Sequence, residues 1–197
     1  VHFAGPAEGR MASGLLGFGR MIEPAEIIGH ARRVLGMQGK LSGKKIVITA
    51  GGSREAIDPV RFIANRSSGK QGYALAEAAI DEGADVTLIS APTTLIPPIG
   101  VNLLRAESAE EMLEAVLAES AGADALIRAA AIADFRPEKV AEKKLKKRDG
   151  IPQITLEAAP DVLKAVASQN PRSSRPCVVV GFAAESRDLI ANAAEKL

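Results

Sequence analysis

Apolar residues downstream of residue 41 fall in short, regularly spaced blocks whose period switches between strand and helix. Lys45-Ile46-Val47-Ile48-Thr49-Ala50 is an apolar run of strand length, whereas Tyr73-Ala74-Leu75-Ala76-Glu77-Ala78-Ala79-Ile80 is built from strong helix formers. The spacing predicts strands at residues 45–50, 85–90, 101–104, 124–128, 153–156 and 177–182, with helices near 70–82, 108–120, 160–168 and 188–196 between them. That order predicts an α/β fold: a Rossmann-like, mainly parallel sheet with helices on both faces and ligands at the carboxyl ends of the strands. Upstream, Pro24 and Gly36 bracket a short helix over Ala25 to Leu35. Residues 1–22, punctuated by Gly5, Gly9, Gly14, Gly17 and Gly19, read as an irregular or mobile segment outside the core. A lysine-rich excursion at residues 135–152 interrupts the regular order.

Composition narrows the classes of chemistry available. With 197 residues and 47% hydrophobic content the chain suits one domain with a tail, or two small ones, around an ordinary core. A formal net charge of +1 gives no overall field to draw in nucleic acid or an anionic membrane, so basic chemistry must be local. Cys177 is the single cysteine, which excludes an internal disulfide and a multi-thiolate metal site and suits a reducing cytoplasm. It directly precedes Val178-Val179-Val180 and reads as an inert buried thiol. His2 and His30 support neither a histidine metal cluster nor a Ser-His-Asp triad. No apolar run approaches the roughly 20 residues that span a bilayer, and no signal sequence is apparent. The start at Val1 and the helical pattern running to Leu197 suggest a piece of something longer.

The chemistry concentrates in Asp58-Pro59-Val60-Arg61-Phe62-Ile63-Ala64-Asn65-Arg66-Ser67-Ser68-Gly69-Lys70-Gln71-Gly72, a polar loop between the first strand and a helix. Free amides at that helix start, with the Ser67 and Ser68 hydroxyls and the Arg66 and Lys70 charges, form an anion site. A phosphate-bearing ligand is the natural occupant. Ala50-Gly51-Gly52-Ser53-Arg54-Glu55 lacks the G-x-G-x-x-G spacing, and Leu88-Ile89-Ser90-Ala91-Pro92 offers no carboxylate for a ribose, so NAD is disfavoured. A Walker site is rejected because Ala64 and Gln71 stand where glycine and Ser or Thr would be needed. The cluster Lys139, Lys143, Lys144, Lys146, Lys147 and Arg148 is alone readable as a solvated charged loop. It follows Ala130-Ala131-Ile132-Ala133-Asp134-Phe135-Arg136, however, where small residues allow close approach and Asp134 can accept hydrogen bonds or assist a metal. One acidic and several cationic groups at two strand ends suit a nucleoside triphosphate with Mg²⁺. RNA binding is weakened by an aromatic content of 3%.

Several blocks in order resemble the phosphopantothenoylcysteine synthetase family. They are Thr49-Ala50-Gly51-Gly52-Ser53-Arg54-Glu55, Asp58-Pro59-Val60-Arg61, Asn65 to Gly72, Ala130 to Phe135, Lys144-Leu145-Lys146-Lys147, Pro160-Asp161-Val162 and Gly181-Phe182-Ala183-Ala184-Glu185. In most bacteria this synthetase is the carboxyl-terminal half of a bifunctional coenzyme A biosynthesis protein. The resemblance assigns residues 41–197 to a synthetase domain, truncated at its carboxyl end, and residues 1–40 to a flap and linker from a preceding decarboxylase half. Gly5-Pro6-Ala7, Ala12-Ser13-Gly14 and Gly17 to Pro24 carry the latter likeness, with Ser13 where many family members have a catalytic cysteine. FMN would belong only to the absent decarboxylase half.

The resemblance implies ligation of L-cysteine to 4'-phosphopantothenate with CTP and Mg²⁺, through an acyl-cytidylate, by a homodimer. It implies Lys144 in pyrophosphate departure and Asn65 in the cysteine step, with Arg61 also assisting phosphopantothenate. Nucleotide contacts carry over to Gly51, Ser67, Ser68, Gly69, Lys70, Gly72, Arg128, Ala129, Ala130, Pro160, Asp161, Val162, Phe182 and Lys196 as well as Lys144. Asp134 would bind nucleotide or metal.

Overall fold

The computed structural model describes residues 1–169, 176, 178–183 and 188. Its centre is a five-stranded parallel sheet of β3 (Lys45–Ala50), β6 (Asp85–Ser90), β7 (Asn102–Arg105), β8 (Ala125–Arg128) and β11 (Val178–Gly181), ordered β11-β8-β3-β6-β7. The first of these strands lies in the middle. The chain moves outward one way through β6 and β7, then returns and moves the other way through β8 and β11. Right-handed crossovers therefore put the connecting helices on opposite faces.

Side-chain alternation along β3 shows the result. Ile46, Ile48 and Ala50 face a cluster with Tyr73, Ala76 and Ile80 of α2 (Lys70–Asp81) and with Val86 and Leu88. Val47 faces the other cluster, with Met112 and Val116 of α3 (Ala109–Ser120), Leu126, and Val162 and Val166 of α4 (Val162–Ser168). Fully buried Ile48, Leu88, Met112 and Leu126 each contribute about 1.5–3 kcal/mol by leaving water. A fourth helix, α1 (Pro24–Gly36), starts with a reciprocal cap between Glu23 and Glu26 and pairs Arg32 with Glu77 and Asp81 of α2. No helix of the described residues is long and apolar enough to cross a membrane.

Three expectations need correction. Residues 1–22 are not irregular: β1 (Ala7–Arg10) and β2 (Leu16–Arg20) form an antiparallel hairpin. Its Gly9, Gly17 and Gly19 take φ of 157°, 154° and 144°, a backbone that L side chains rarely adopt, so those glycines serve the ribbon. The strand expected at 153–156 is β10 (Leu156–Ala158), and it pairs antiparallel with β9 (Phe135–Pro137) in a separate ribbon rather than joining the main sheet. The long loop after β3 holds a further hairpin, β4 (Arg54–Ala56) and β5 (Phe62–Ala64). The strand end at Cys177 lies outside the described residues, as does all but Asp188 of the helix expected at 188–196.

Candidate active site

The switch in strand order opens a crevice at the carboxyl ends of β3 and β8, and most of the singled-out residues converge there. Beyond Ala50 the backbone of β3 keeps pairing with the segment after β8: Ala131 N donates to Gly51 O at 2.8 Å, and Gly52 bridges Ala131. Two buried hydroxyls complete the seam. Thr49 Oγ1 accepts from Ala130 N at 3.1 Å and Ser53 Oγ from Ala133 N at 2.9 Å. Asn65 at the end of β5 donates from Nδ2 to Ile132 O at 3.0 Å, which ties the hairpin base to the same seam.

Beside it, α2 begins with no side-chain cap and no acidic residue in its first turn. Ser67 Oγ and Ser68 Oγ accept from Gly69 N and Lys70 N at 3.4 Å each, long bonds that an anion's oxygens could replace. By contrast α3 carries Glu110 and Glu111 in its first turn and the Ser108 side chain as cap. Gly69 has φ 75°, and a Cβ there would lie 2.8 Å from Thr93 Cγ2 and 3.3 Å from Gly51 N. A Cβ on Gly72 would meet Ala50 Cβ at 2.5 Å and Thr49 O at 2.8 Å. Gly51 at the strand end, Gly69 at the helix start and Gly72 against the strand thus stand in space at the three places where the dinucleotide motif has its glycines. Residues 52–68 are inserted between the first and second, which is why contiguous spacing does not reveal it.

The β8 side supplies the other wall. Ala129 and Ala130 follow Arg128, whose register partner on β11 is Gly181, so Phe182 emerges next to Ala129. Phe182 and Asp134 are exposed. Ala159 N donates to Asp134 O at 2.9 Å, and this sets Pro160, Asp161 and Val162 alongside. Asp161 caps α4 by accepting from Lys164 N at 3.1 Å. Arg128 Nε is buried without a hydrogen-bond partner among the described residues. Burial pushes the Arg128 guanidinium below its ordinary value, and the nearby Asp161 charge opposes this.

Arg61 and Lys144 are not brought to that seam. Arg61 sits at the hairpin tip, where Asp58 accepts from its Nε at 3.0 Å, and Arg61 Nη2 donates to Leu145 O at 2.7 Å. Four steps of extended chain carry Arg61 to Asn65, roughly 13 Å. The backbone next to Lys144 is therefore held at one end of the hairpin and Asn65 at the other. A cavity of about 630 Å³ lies between the hairpin, the start of α3 and the β9–β10 ribbon, lined by Arg54, Phe62, Glu110, Arg136 and Glu157 among others; of the residues given a site role from sequence, Arg61 lines it. Lys196 lies outside the described residues. Thr49, Ser53 and Asp58 were not assigned a role from sequence, although Asp58-Pro59 is an Asx-turn signal that could have found the last.

Comparison with known proteins adds the family. Residues 41–197 match the family model of the DNA/pantothenate metabolism flavoprotein C-terminal domain. The coenzyme A biosynthesis bifunctional protein CoaBC of Vibrio vulnificus is 46% identical over 195 residues, 98% of this chain and 48% of that protein. Its namesake in Bacillus subtilis is 44% identical over 198 residues, 99% of this chain and again 48% of that protein. The chain thus spans about half the length of these relatives. The crystal structure of the C-terminal domain of a CoaBC protein superposes with a TM-score of 0.67 at 44% identity, covering 79% of this chain and 71% of that one. A Cab2 mutant in complex with phosphopantothenate-cysteine shares the fold, with a TM-score of 0.63 at 17% identity over 87% of this chain and 74% of that one. With the glycine cradle, the strand-end seam and these matches in agreement, the chain belongs to the DNA/pantothenate metabolism flavoprotein C-terminal domain family.

Proposed function

We propose that this chain is a phosphopantothenate–cysteine ligase: it joins L-cysteine to 4'-phosphopantothenate at the expense of CTP, by way of an acyl-cytidylate, in coenzyme A biosynthesis. The observation that carries the reading is the anion-ready start of α2, set beside Asn65 and the alanine seam, in a chain of this family. The bifunctional name of the relatives and the phosphopantothenate-cysteine in the Cab2 neighbour support the choice of substrates.

In this reading the triphosphate lies over Gly51, Gly69 and the first-turn amides of α2, with Ser67, Ser68 and Lys70 beside it. The buried Arg128 Nε, without a partner among the described residues, would donate to a nucleotide oxygen, and Ala129, Ala130, Pro160 to Val162 and Phe182 enclose the base and ribose. Lys196 adds a cation to the triphosphate. The carboxylate of 4'-phosphopantothenate attacks the α-phosphorus, the bond to the β-phosphate oxygen breaks, and pyrophosphate leaves with its charge met by Lys144. Asn65 Nδ2 then turns from Ile132 O to the acyl carbonyl, while the cysteine amine forms the amide bond and CMP departs.

No group of three or more carboxylate, histidine or cysteine side chains gathers to hold a metal among the described residues. A lone exposed carboxylate, Asp134, fits a Mg²⁺ carried mainly by the triphosphate, which is how that ion is commonly bound. Such an ion would neutralise phosphate charge. Arg61 assists phosphopantothenate from the hairpin tip. The reading further implies a cytoplasmic homodimer, fused in the whole protein to an FMN-dependent decarboxylase. Incubation with CTP, 4'-phosphopantothenate and cysteine, assayed for pyrophosphate and CMP, tests it; release of neither product would sink the ligase reading.

A further inference from the structure

The steps above leave the buried charge of Asp58 unused. The Asp58 side chain is fully buried, and its two oxygens take five hydrogen bonds. Oδ1 accepts from Val60 N at 2.8 Å and Arg61 N at 2.9 Å, a local Asx turn at the hairpin tip. Oδ2 accepts from Arg61 Nε at 3.0 Å, Arg61 Nη2 at 2.5 Å and Leu145 N at 3.1 Å. The last contact comes from 87 residues away. Arg61 Nη2 returns the contact by donating to Leu145 O at 2.7 Å. Both polar backbone groups of the residue after Lys144 are therefore fixed by one ion pair. A second tie, Ala141 N to Ile57 O at 2.9 Å, holds the incoming end of the same lysine-rich loop.

An ion pair whose carboxylate is buried while its guanidinium is exposed is weak evidence for stability, because desolvation of the carboxylate offsets much of the attraction. Lys143, Lys144 and Lys146 are exposed and repel one another, so an untethered loop would spread them. We propose that Asp58 is a positioning residue for Lys144: with Arg61 it clamps Leu145, so that the ammonium is presented at one fixed place when pyrophosphate charge develops. The inference rests on the ligase reading above. Preorganised charge contributes most when it need not move during the reaction, and the clamp supplies that condition.

A double-mutant cycle on the full chain tests it. Single-turnover pyrophosphate release is measured for the wild type, Asp58→Asn, Lys144→Gln and the double variant, with cysteine capture timed separately. Asp58→Asn alone should slow pyrophosphate release about tenfold while the KM for CTP and the rate of cysteine capture stay within about twofold. In the Lys144→Gln background it should cost nothing further, since the clamp then has no charge to place. An equal loss in both backgrounds, or a raised KM for CTP at unchanged rate, overturns the positioning role. Should Asp58→Asn fail to fold, Asp58→Glu, which keeps the charge but moves the carboxylate off Leu145 N, is put through the same cycle. A wild-type chain that releases no pyrophosphate overturns the ligase reading, and this inference with it. A wild-type chain that turns over with additive losses overturns this inference alone.

Discussion

Asn65 and the backbone next to Lys144 stand at opposite ends of one hairpin, which makes the roles of the two residues separable by single substitutions. Asn65→Ala removes the amide that would hold the acyl group and leaves the charge that meets pyrophosphate, so acyl-cytidylate should accumulate. Lys144→Gln should slow formation of that intermediate by about 10² to 10³, as loss of a preorganised transition-state donor does elsewhere. Mass spectrometry of quenched reactions would show a build-up in the asparagine variant; a build-up confined to the lysine variant would reverse the two roles. Asp58 makes a prediction of another kind. The Arg61 guanidinium, with the Val60, Leu145 and Arg61 amides, outweighs burial and holds the Asp58 carboxyl well below the usual carboxylate range. Between the two values the unfolded chain binds the extra proton, so Asp58 stabilises the fold above about pH 4 and that contribution fades as pH falls further. The stability gap between wild type and Asp58→Asn, followed by denaturant titration, should shrink from pH 5 toward pH 2. A gap that widens on acidification would be incompatible with a depressed carboxyl.

Among elements, the start of α2 makes the sharpest demand on its sequence. Gly69→Ala puts a side chain at φ 75° and 2.8 Å from Thr93 Cγ2, so the first turn must shift away from the Gly51 backbone. The expected result is at least tenfold weaker CTP binding by calorimetry, with the core sheet retained; unchanged affinity would remove that turn from the nucleotide site. Elements were legible from sequence in proportion to how much apolar surface they bury. β3, β6 and β8 lie inside the sheet, so their apolar runs announce them, and α3 and α4 carry the caps Ser108 and Asp161 at their starts. β4, β5, β9 and β10 are only three residues long, and each pairs with just one neighbour. Their pairing is imposed by tertiary contacts such as Arg136 between Glu110 and Glu157, which no local period records. The site divides in the same way. Gly69, Lys70 and Asn65 stand out by residue type, whereas Thr49 and Ser53 act only by accepting backbone amides inside the seam, where an ordinary strand residue looks the same.

The whole molecule should register its nucleotide as a gain in stability. CTP at about 100 times its dissociation constant adds roughly 2.7 kcal/mol to the folded state. For a domain of this size that is a rise of several degrees in Tm. Equal shifts from ATP and NAD would remove the preference for cytosine. Core and site can be tested apart on the same scale. Leu88→Ala, in a fully buried position on the α2 face, should lower stability by about 2–5 kcal/mol while leaving the ratio of CTP to ATP affinity unchanged. A changed ratio would mean that packing on that face also sets nucleotide choice.

The hairpin of β4 and β5 leaves the fold at Arg54 and returns at Ala64, two residues that face each other across the ribbon. Cross-strand partners lie only about 5 Å apart, so the excursion enters and leaves through one doorway. Grammatically it is a parenthesis: the nucleotide scaffold reads through on either side of it, and the contents can be exchanged without rewriting the sentence. Replacing residues 57–61 by an Asn-Gly turn, which keeps the buried Glu55 and its bond from Ala109 N, should therefore give a chain that folds and retains CTP, yet releases pyrophosphate at least tenfold more slowly, because the tie to the lysine loop has gone with the insert. Loss of CTP binding together with turnover would show instead that holding the nucleotide and reacting it were never independent clauses.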